Sequence, residues 1–124
     1  MVSTRSLDGE RDDLDLTEDR NRVRNQALIR EVNEQVCAFA AASASEQEVL
    51  VICECTAVGC SAPLRLTCAE YDRIRQSSTH FIVKLGHVHP EGEHVVEQTP
   101  QFVVVEKLGE GAAIAIHLDP RREH

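Results

Sequence analysis

The segment Val51-Ile-Cys-Glu-Cys-Thr-Ala-Val-Gly-Cys-Ser-Ala-Pro63 is the most chemically specific part of this chain. It places three thiols, those of Cys53, Cys55 and Cys60, within eight residues, where an apolar run passes into a polar turn. Thiolates this close together can converge on one soft cation, and zinc is the usual one. Gly59 precedes Cys60 and can supply the backbone bend that brings the third thiol round. The segment therefore predicts a metal site built on a turn.

Three thiolates leave one tetrahedral position, and histidine is the natural residue to fill it. The candidate histidines are His87, His89 and His94 in one Gly- and Pro-containing loop, together with His80 and His117. His87 is preferred, because it follows a glycine and leaves a predicted strand on a loop, where its imidazole is free to turn. Cys68 is the competing donor and would complete an all-cysteine site. Against it, Cys68 falls in the first turn of a predicted helix, beyond an intervening strand.

Strand patterns lie on both sides of the cysteine turn. Residues 49–52 form a continuous apolar run, and residues 64–67 alternate between apolar and polar side chains. The three cysteines then lie on the connection between two strands, as in zinc-ribbon and knuckle motifs. Further strands are predicted at 80–83, 95–97 and 102–106, and the Thr-Pro-Gln segment between the last two favours a hairpin.

An amphipathic helix is predicted over residues 21–42. Its apolar residues recur at helical spacing, at Ala27, Leu28, Val32, Val36, Phe39 and Ala40. Charged residues occupy the other faces, where Arg30 and Glu34 are expected to form an i,i+4 pair. Cys37, next to Val36, is most simply a buried apolar residue.

Two shorter helices are also predicted. Thr67-Cys-Ala-Glu70 matches a capping box and begins the first of them. Residues 112–118 alternate like a strand, but their alanines favour a short helix. The expected fold is α+β, with the N-terminal amphipathic helix packed on a small, mainly antiparallel sheet that carries a zinc-ribbon- or knuckle-like cysteine turn.

Length and composition limit the organisation of the chain. A sequence of 124 residues is enough for one domain, and a composition of 42% hydrophobic but 3% aromatic residues requires a core of Val, Ile, Leu and Ala. Residues 1–20 are rich in Asp, Glu and Arg and are predicted to be a disordered acidic tail. Residues 21–118 form the predicted metal-binding domain, and residues 119–124 a flexible C-terminus.

The net charge of −8 disfavours nucleic-acid binding, which needs a basic face. An acidic balance instead fits a cytosolic protein, or one that docks on a partner with a basic surface. We expect no membrane association, because no apolar stretch approaches the roughly 20 residues that a span requires and the N-terminus lacks a signal-peptide pattern. In a reducing compartment, an odd number of cysteines favours metal ligands or reactive thiols over disulfides.

A set of short motifs covers about residues 22–118. They are Arg24-Asn-Gln-Ala-Leu-Ile-Arg-Glu-Val-Asn-Glu34, Cys53-x-Cys55-x4-Cys60, Leu66-Thr-Cys-Ala-Glu-Tyr-Asp-Arg-Ile-Arg75, Phe81-Ile-Val83, Gly86-His87, Val95-Val-Glu97 and Phe102-Val-Val-Val-Glu-Lys107. In these motifs the chain resembles a set of small cytosolic actinobacterial proteins of uncharacterised function. The resemblance implies that Cys53, Cys55, Cys60 and His87 are the recurring polar set, and it implies no activity. The chain departs from that pattern at Ser78 and Leu85, where a proline is usual.

These observations favour a non-catalytic, zinc-stabilised interaction or regulatory module of the cytosol, and the sequence contains no P-loop, dinucleotide-binding turn or nucleophile elbow. Two alternatives stay open: a small metallo- or thiol enzyme, for which Cys68 is the candidate thiol, and a redox or metal sensor that uses the same cysteines. A [2Fe–2S] cluster held by three Cys and one His is the alternative to Zn²⁺. A second metal site at His87, His89 and His94 is a further alternative.

Overall fold

A computed structural model describes residues 2–41 and 47–121, with the side chains of the first helix described from residue 20 to residue 40. The elements in chain order are α1 (Val2–Ala41), β1 (Glu48–Ile52), β2 (Pro63–Thr67), α2 (Cys68–Ile74), β3 (His80–Val83), β4 (Glu93–Gln98), β5 (Val103–Lys107) and α3 (Gly109–His117). The predicted α+β class is confirmed. Within the described ranges, none of the helices combines the length and the apolar character needed to cross a membrane.

The strands form two antiparallel sheets. β1 pairs with β2, so the three cysteines lie on the connection between two strands, as predicted. The second sheet has the order β3-β5-β4, and its β4–β5 pair is the predicted hairpin, with a register shift between Val95 and Glu97 in β4. The likeness to a zinc ribbon stays a prediction.

The core lies around the three-stranded sheet and is made of aliphatic side chains with few aromatic ones. Phe81, Ile82 and Val83 of β3 are fully buried, and they pair with buried valines at positions 103–105 of β5. Leu64 and Leu66 of β2 are buried as well, while Arg65 between them is exposed. β2 is therefore half-buried, in agreement with the alternation of its sequence.

The buried face of α1 differs from the predicted one. The buried side chains between residues 20 and 40 are those of Val23, Gln26, Ala27, Arg30, Asn33 and Cys37. Leu28, Val32 and Phe39 are instead exposed by 62%, 49% and 85%. The prediction was right for Ala27 and Cys37 and wrong for those three apolar residues.

Hydrogen bonds explain why polar residues occupy the inner face of α1. Arg30 donates to the carbonyl oxygens of Ser78 and Ala115, at 2.7 and 2.9 Å, and its guanidinium lies 4.6 Å from the ring centroid of Phe81. The predicted Arg30–Glu34 pair is wrong, because Arg30 points inward and Glu34 accepts two hydrogen bonds from Arg121. A buried charge is tolerated only when it is paired or hydrogen-bonded in this way.

The shorter helices agree with the sequence. Thr67 caps α2 through a bond from the Glu70 amide at 3.1 Å, and the Glu70 carboxylate accepts from the Thr67 amide at 2.9 Å. This is the predicted capping box. The ambiguous segment near the C-terminus is helical, as favoured.

The two predicted flexible ends are described only in part. α1 begins at Val2 and so extends beyond the predicted start at residue 21, but its side chains before residue 20 lie outside the described part. At the other end, Asp119 is buried and accepts hydrogen bonds from Arg75 and Ser78. Residues 122–124 lie outside the described ranges, and the domain boundaries at 20/21 and 118/119 stay predictions.

Candidate metal centre

The cysteine turn and the loop after β3 bring four potential ligands together. One ligand atom from each of Cys53, Cys55, Cys60 and His87 lies within 4.8 Å of the other three. Cys53 and Cys55 are buried, while Cys60 and His87 are partly exposed. Cys68 lies elsewhere, with its sulfur 3.8 Å from the carbonyl oxygen of Cys37. The four residues that could hold a metal ion are thus the ones preferred from the sequence.

The spacing of these atoms has the dimensions of a single-ion site. Nδ1 of His87 lies 3.6 Å from Sγ of Cys53 and 3.6 Å from Sγ of Cys60. A tetrahedral zinc ion, with Zn–S of about 2.3 Å and Zn–N of about 2.0–2.1 Å, would separate a sulfur from a nitrogen ligand by about 3.5–3.6 Å. The observed separations therefore need no adjustment to accept an ion of that size.

Two glycine-containing turns orient the ligand residues Cys60 and His87. Gly59 has a φ of 85° and Gly86 a φ of 86°, both in the left-handed region where a side chain would be strained. The Cys60 amide donates to the Ala57 carbonyl at 3.2 Å, and the His87 amide donates to the Lys84 carbonyl at 2.9 Å. Each glycine therefore permits the turn that directly precedes a ligand residue.

The ligand sulfurs are in unequal electrostatic surroundings. Burial raises the pKa of the Cys53 thiol and that of the Cys55 thiol, although the Lys84 amide donates to Cys53 Sγ at 3.1 Å. Cys60 is more open, and a backbone hydrogen bond from Ala62 lowers its pKa. Three thiolates at this distance would repel one another, so the cluster is best suited to a bound cation that compensates their charge.

Glu54, between two of the cysteines, fixes the turn to the rest of the protein. Its fully buried carboxylate accepts from Asn33 Nδ2 at 2.8 Å, from the Tyr71 hydroxyl at 2.6 Å and from the Ile82 amide at 3.0 Å. Its own amide donates to the Ile82 carbonyl at 2.8 Å, and its carbonyl accepts from Gln26 at 2.9 Å. The turn is therefore held by α1, α2 and β3 together.

Burial raises the pKa of Glu54, and the hydrogen bonds from Tyr71 and Asn33 offset only part of that effect. The hydroxyl of Tyr71 lies near two acceptors, Glu54 Oε2 at 2.6 Å and the Arg30 carbonyl at 3.3 Å, but it has a single hydrogen. The shorter of the two contacts, to Glu54 Oε2, takes that hydrogen.

Sequence reasoning missed Glu54 as a supporting residue. The Cys-x-Cys spacing contained the signal, because in extended backbone the middle side chain points away from its two neighbours. A carboxylate at that position is therefore directed away from the thiols and needs partners of its own.

The other candidate histidines do not join the cluster. His80 and His94 lie on either side of Glu106 in the three-stranded sheet, with Nε2–carboxylate distances of 3.6 and 3.4 Å. The His89 carbonyl accepts from the Gly92 amide at 3.1 Å, and the His89 amide donates to the Glu93 carboxylate at 2.8 Å. Within the described residues, one group of three or more metal-ligating side chains is found, and His89 and His94 are outside it. The alternative second site at His87, His89 and His94 is thus not assembled.

Comparisons of the chain with protein-family models, with curated proteins and with solved structures give no match. Function is therefore inferred from the residues of the site and of the surface.

Proposed function

We propose that the chain binds one Zn²⁺ ion through Cys53, Cys55, Cys60 and His87, and that this zinc stabilises a non-catalytic interaction or regulatory module of the cytosol. The observation that carries the proposal is the convergence of the four ligand atoms within 4.8 Å, with Nδ1 of His87 at 3.6 Å from Sγ of Cys53 and of Cys60. Three sulfurs and one imidazole nitrogen are a common ligand set of structural zinc.

The compactness of the cluster favours one ion over a [2Fe–2S] centre. Such a centre divides its four protein ligands between two irons, so ligands on opposite irons lie farther apart than ligands around one ion. Here all four ligand atoms are mutually within 4.8 Å. That arrangement supports zinc as the resident metal.

A complete ligand set favours a structural role. Catalytic zinc usually keeps three protein ligands and an open position for water or substrate, whereas structural zinc is closed by four. Two cavities in the described part of the chain, of about 340 and 450 Å³, are lined by none of the four ligand residues. An enzyme would need the metal to face such a cavity.

The surface supports an interaction role. Leu28, Val32 and Phe39 are exposed along α1, where apolar side chains gain from contact with another macromolecule. The net charge of −8, with an acidic N-terminal segment, favours a protein partner with a basic surface. Residues 1–20 would raise the rate of association with such a partner at low salt.

The metal is tested by native mass spectrometry and elemental analysis after purification without chelators. We expect one zinc per chain and an X-ray absorption spectrum that fits three sulfurs and one nitrogen. His87→Ala should weaken zinc retention, and Cys68→Ala, the matched control, should leave it intact. Well under half an equivalent of zinc would refute the metal assignment. A four-sulfur fit would assign Cys68 instead of His87 as the fourth ligand. Stoichiometric iron with visible absorbance would favour a [2Fe–2S] cluster.

The interaction role is tested by deleting residues 1–20. The truncated chain should lose salt-sensitive binding to a partner that the full chain retains, while its melting temperature stays nearly unchanged. Turnover of a substrate, together with a water as the fourth zinc ligand, would move the protein into the enzyme class.

A further inference from the structure

Two thiols outside the candidate metal centre lie next to each other. Cys37, near the end of α1, is exposed by 9%, and Cys68, the first residue of α2, by 6%. The sulfur of Cys68 is 3.8 Å from the Cys37 carbonyl oxygen. Residues 31 positions apart in the sequence thus meet between two helices.

The five cysteines of the chain therefore fall into two groups. Cys53, Cys55 and Cys60 converge with His87, and Cys37 and Cys68 form a separate pair. All five are thiols, without a disulfide between them. When a metal holds the first group, the two thiols that remain lie close together and line the same cavity, and such proximity is a precondition for disulfide formation.

The pair is accessible to a small reactant. Both cysteines line a cavity of about 450 Å³ between α1 and α2, together with Glu34, Tyr71 and Arg121. Hydrogen peroxide is small enough to enter such a cavity.

We propose that Cys37 and Cys68 are a peroxide-sensitive pair that forms a reversible disulfide linking α1 to α2. The Cys68 thiolate attacks one oxygen of hydrogen peroxide, the O–O bond breaks, and Cys68 sulfenic acid and hydroxide are formed. The Cys37 thiolate then attacks the Cys68 sulfur and displaces hydroxide. In total the two thiols lose two protons and two electrons, and the peroxide is reduced to two waters.

The order of the two steps follows from the surroundings of Cys37. Burial and the hydrogen bond to Cys68 raise the pKa of the Cys37 thiol, so Cys37 stays protonated more readily. A thiol that ionises less readily is the poorer attacking nucleophile, so Cys37 is assigned as the resolving sulfur and Cys68 as the attacking one.

The linkage would close a covalent ring around the metal turn. Residues 38–67 lie between the two cysteines and include β1, the Cys53–Cys60 turn and β2. Oxidation is therefore expected to raise the melting temperature by several degrees, because the cross-link restricts the unfolded chain. The pair is distinct from the proposed zinc ligands and from the interaction role.

The test treats the reduced, zinc-loaded full chain with a small molar excess of hydrogen peroxide, followed by intact-mass measurement and non-reducing peptide mapping. We expect the loss of two hydrogens, a link between the Cys37 and Cys68 peptides, retention of zinc, and full reversal by dithiothreitol. In Cys37→Ala the sulfenic acid on Cys68 should persist and react with dimedone. In Cys68→Ala the cross-link and the dimedone adduct should both be absent.

The mapping identifies the oxidised residues whether or not zinc is bound, so it does not depend on the metal assignment. Oxidation confined to Cys53, Cys55 or Cys60, with Cys37 and Cys68 still reduced, would overturn the proposal. Separate over-oxidation of Cys37 and Cys68 without a link in the wild-type chain would overturn it equally.

Discussion

The three-stranded sheet and the inner face of α1 are packed in opposite ways. In the sheet, Phe81, Ile82 and Val83 of β3 meet the valines of β5, and apolar contact fills the space. On α1, Gln26 and Asn33 are fully buried, and specific hydrogen bonds hold them in place. Leu28, Val32 and Phe39 of the same helix face outward.

The two kinds of packing have different roles: apolar packing stabilises the fold, and hydrogen bonds fix the position of one segment relative to another. Apolar burial is non-directional, so the sheet gains free energy without selecting a single partner atom. Each hydrogen bond of α1 does select one: Asn33 donates to the Ile52 carbonyl at 2.8 Å and accepts from the Ile52 amide at 2.9 Å. The sheet thus supplies the core, and α1 sets the position of the segment that carries the thiols.

The largest effect is expected from removing the metal. Cys60→Ala, or a strong chelator on the wild-type chain, should lower the melting temperature sharply. Structural zinc is worth an apparent ~10–16 kcal/mol in finger peptides, against a net stability of ~5–15 kcal/mol for a typical domain. Circular-dichroism melts with and without metal measure this, with Cys68→Ala as the control. An unchanged melt after verified zinc removal would mean that apolar and polar packing alone hold the turn.

Substituting one phenylalanine in the sheet and one on the outer face of α1 allows the two regions to be compared directly. Phe81→Ala in the sheet should cost about 3–5 kcal/mol of unfolding free energy, because it leaves a cavity in the core. Phe39→Ala on the outer face of α1 should change the stability by less than about 0.5 kcal/mol. Urea unfolding of both variants measures the contrast. Similar losses at the two sites would show that the outer face of α1 is packed against something.

Asn33 tests the polar packing of α1. Asn33→Ala should cost about 2–3 kcal/mol, since it removes two hydrogen bonds to the Ile52 backbone and one of those to the Glu54 carboxylate. Zinc should also be released faster, because the position of the turn is no longer fixed. Gln35→Ala, an exposed amide on the same helix, is the matched control. Equal effects of the two substitutions on zinc release would contradict the positioning role.

The smallest expected effect concerns Asp119. Burial would raise its pKa, but hydrogen bonds from Ser78, the Arg121 amide and Arg75 hold that pKa below the usual value of 3.8. Asp119 therefore stabilises the fold above pH 3.8, and this contribution is lost as the pH falls through the lowered pKa. Asp119→Asn should cost about 1.5 kcal/mol at neutral pH, because charge-assisted hydrogen bonds are lost.

The measurement is urea unfolding of the wild-type chain and of Asp119→Asn, both at the same series of pH values from about 5 to about 2. The difference in unfolding free energy between the two chains should decrease as the pH falls. Any loss of metal at low pH affects both chains and cancels in that difference. A difference that stays constant over this range would show that the charge of Asp119 is not involved.

The elements that were predicted correctly depend on local patterns. The capping box at Thr67 and Glu70 and the strands on both sides of the cysteine turn are encoded within a few residues. His87 was found because a glycine and a loop precede it. Long-range partners have no such signature, so the contact between Cys37 and Cys68 could not be read from the sequence.

The inner face of α1 was predicted wrongly for a specific reason. Leu28, Val32 and Phe39 form a stripe with the correct period, but Gln26, Arg30 and Asn33 form another with the same period. Hydrophobicity favours the first stripe. The second is buried because carbonyl groups of Ser78, Ala115 and Ile52, which are distant in sequence, accept its hydrogen bonds.

Glu54 also affects how this protein can associate with copies of itself. β3 and β4 are the two edge strands of their sheet, and unpaired strand edges invite intermolecular pairing. β4 carries an irregularity at Val95–Glu97. The outer edge of β3 is covered at Ile82, whose carbonyl accepts from the Glu54 amide and whose amide donates to the Glu54 carboxylate. Disordering of the cysteine turn would therefore expose a strand edge, and the metal-free protein should aggregate in light scattering while the zinc form stays dispersed.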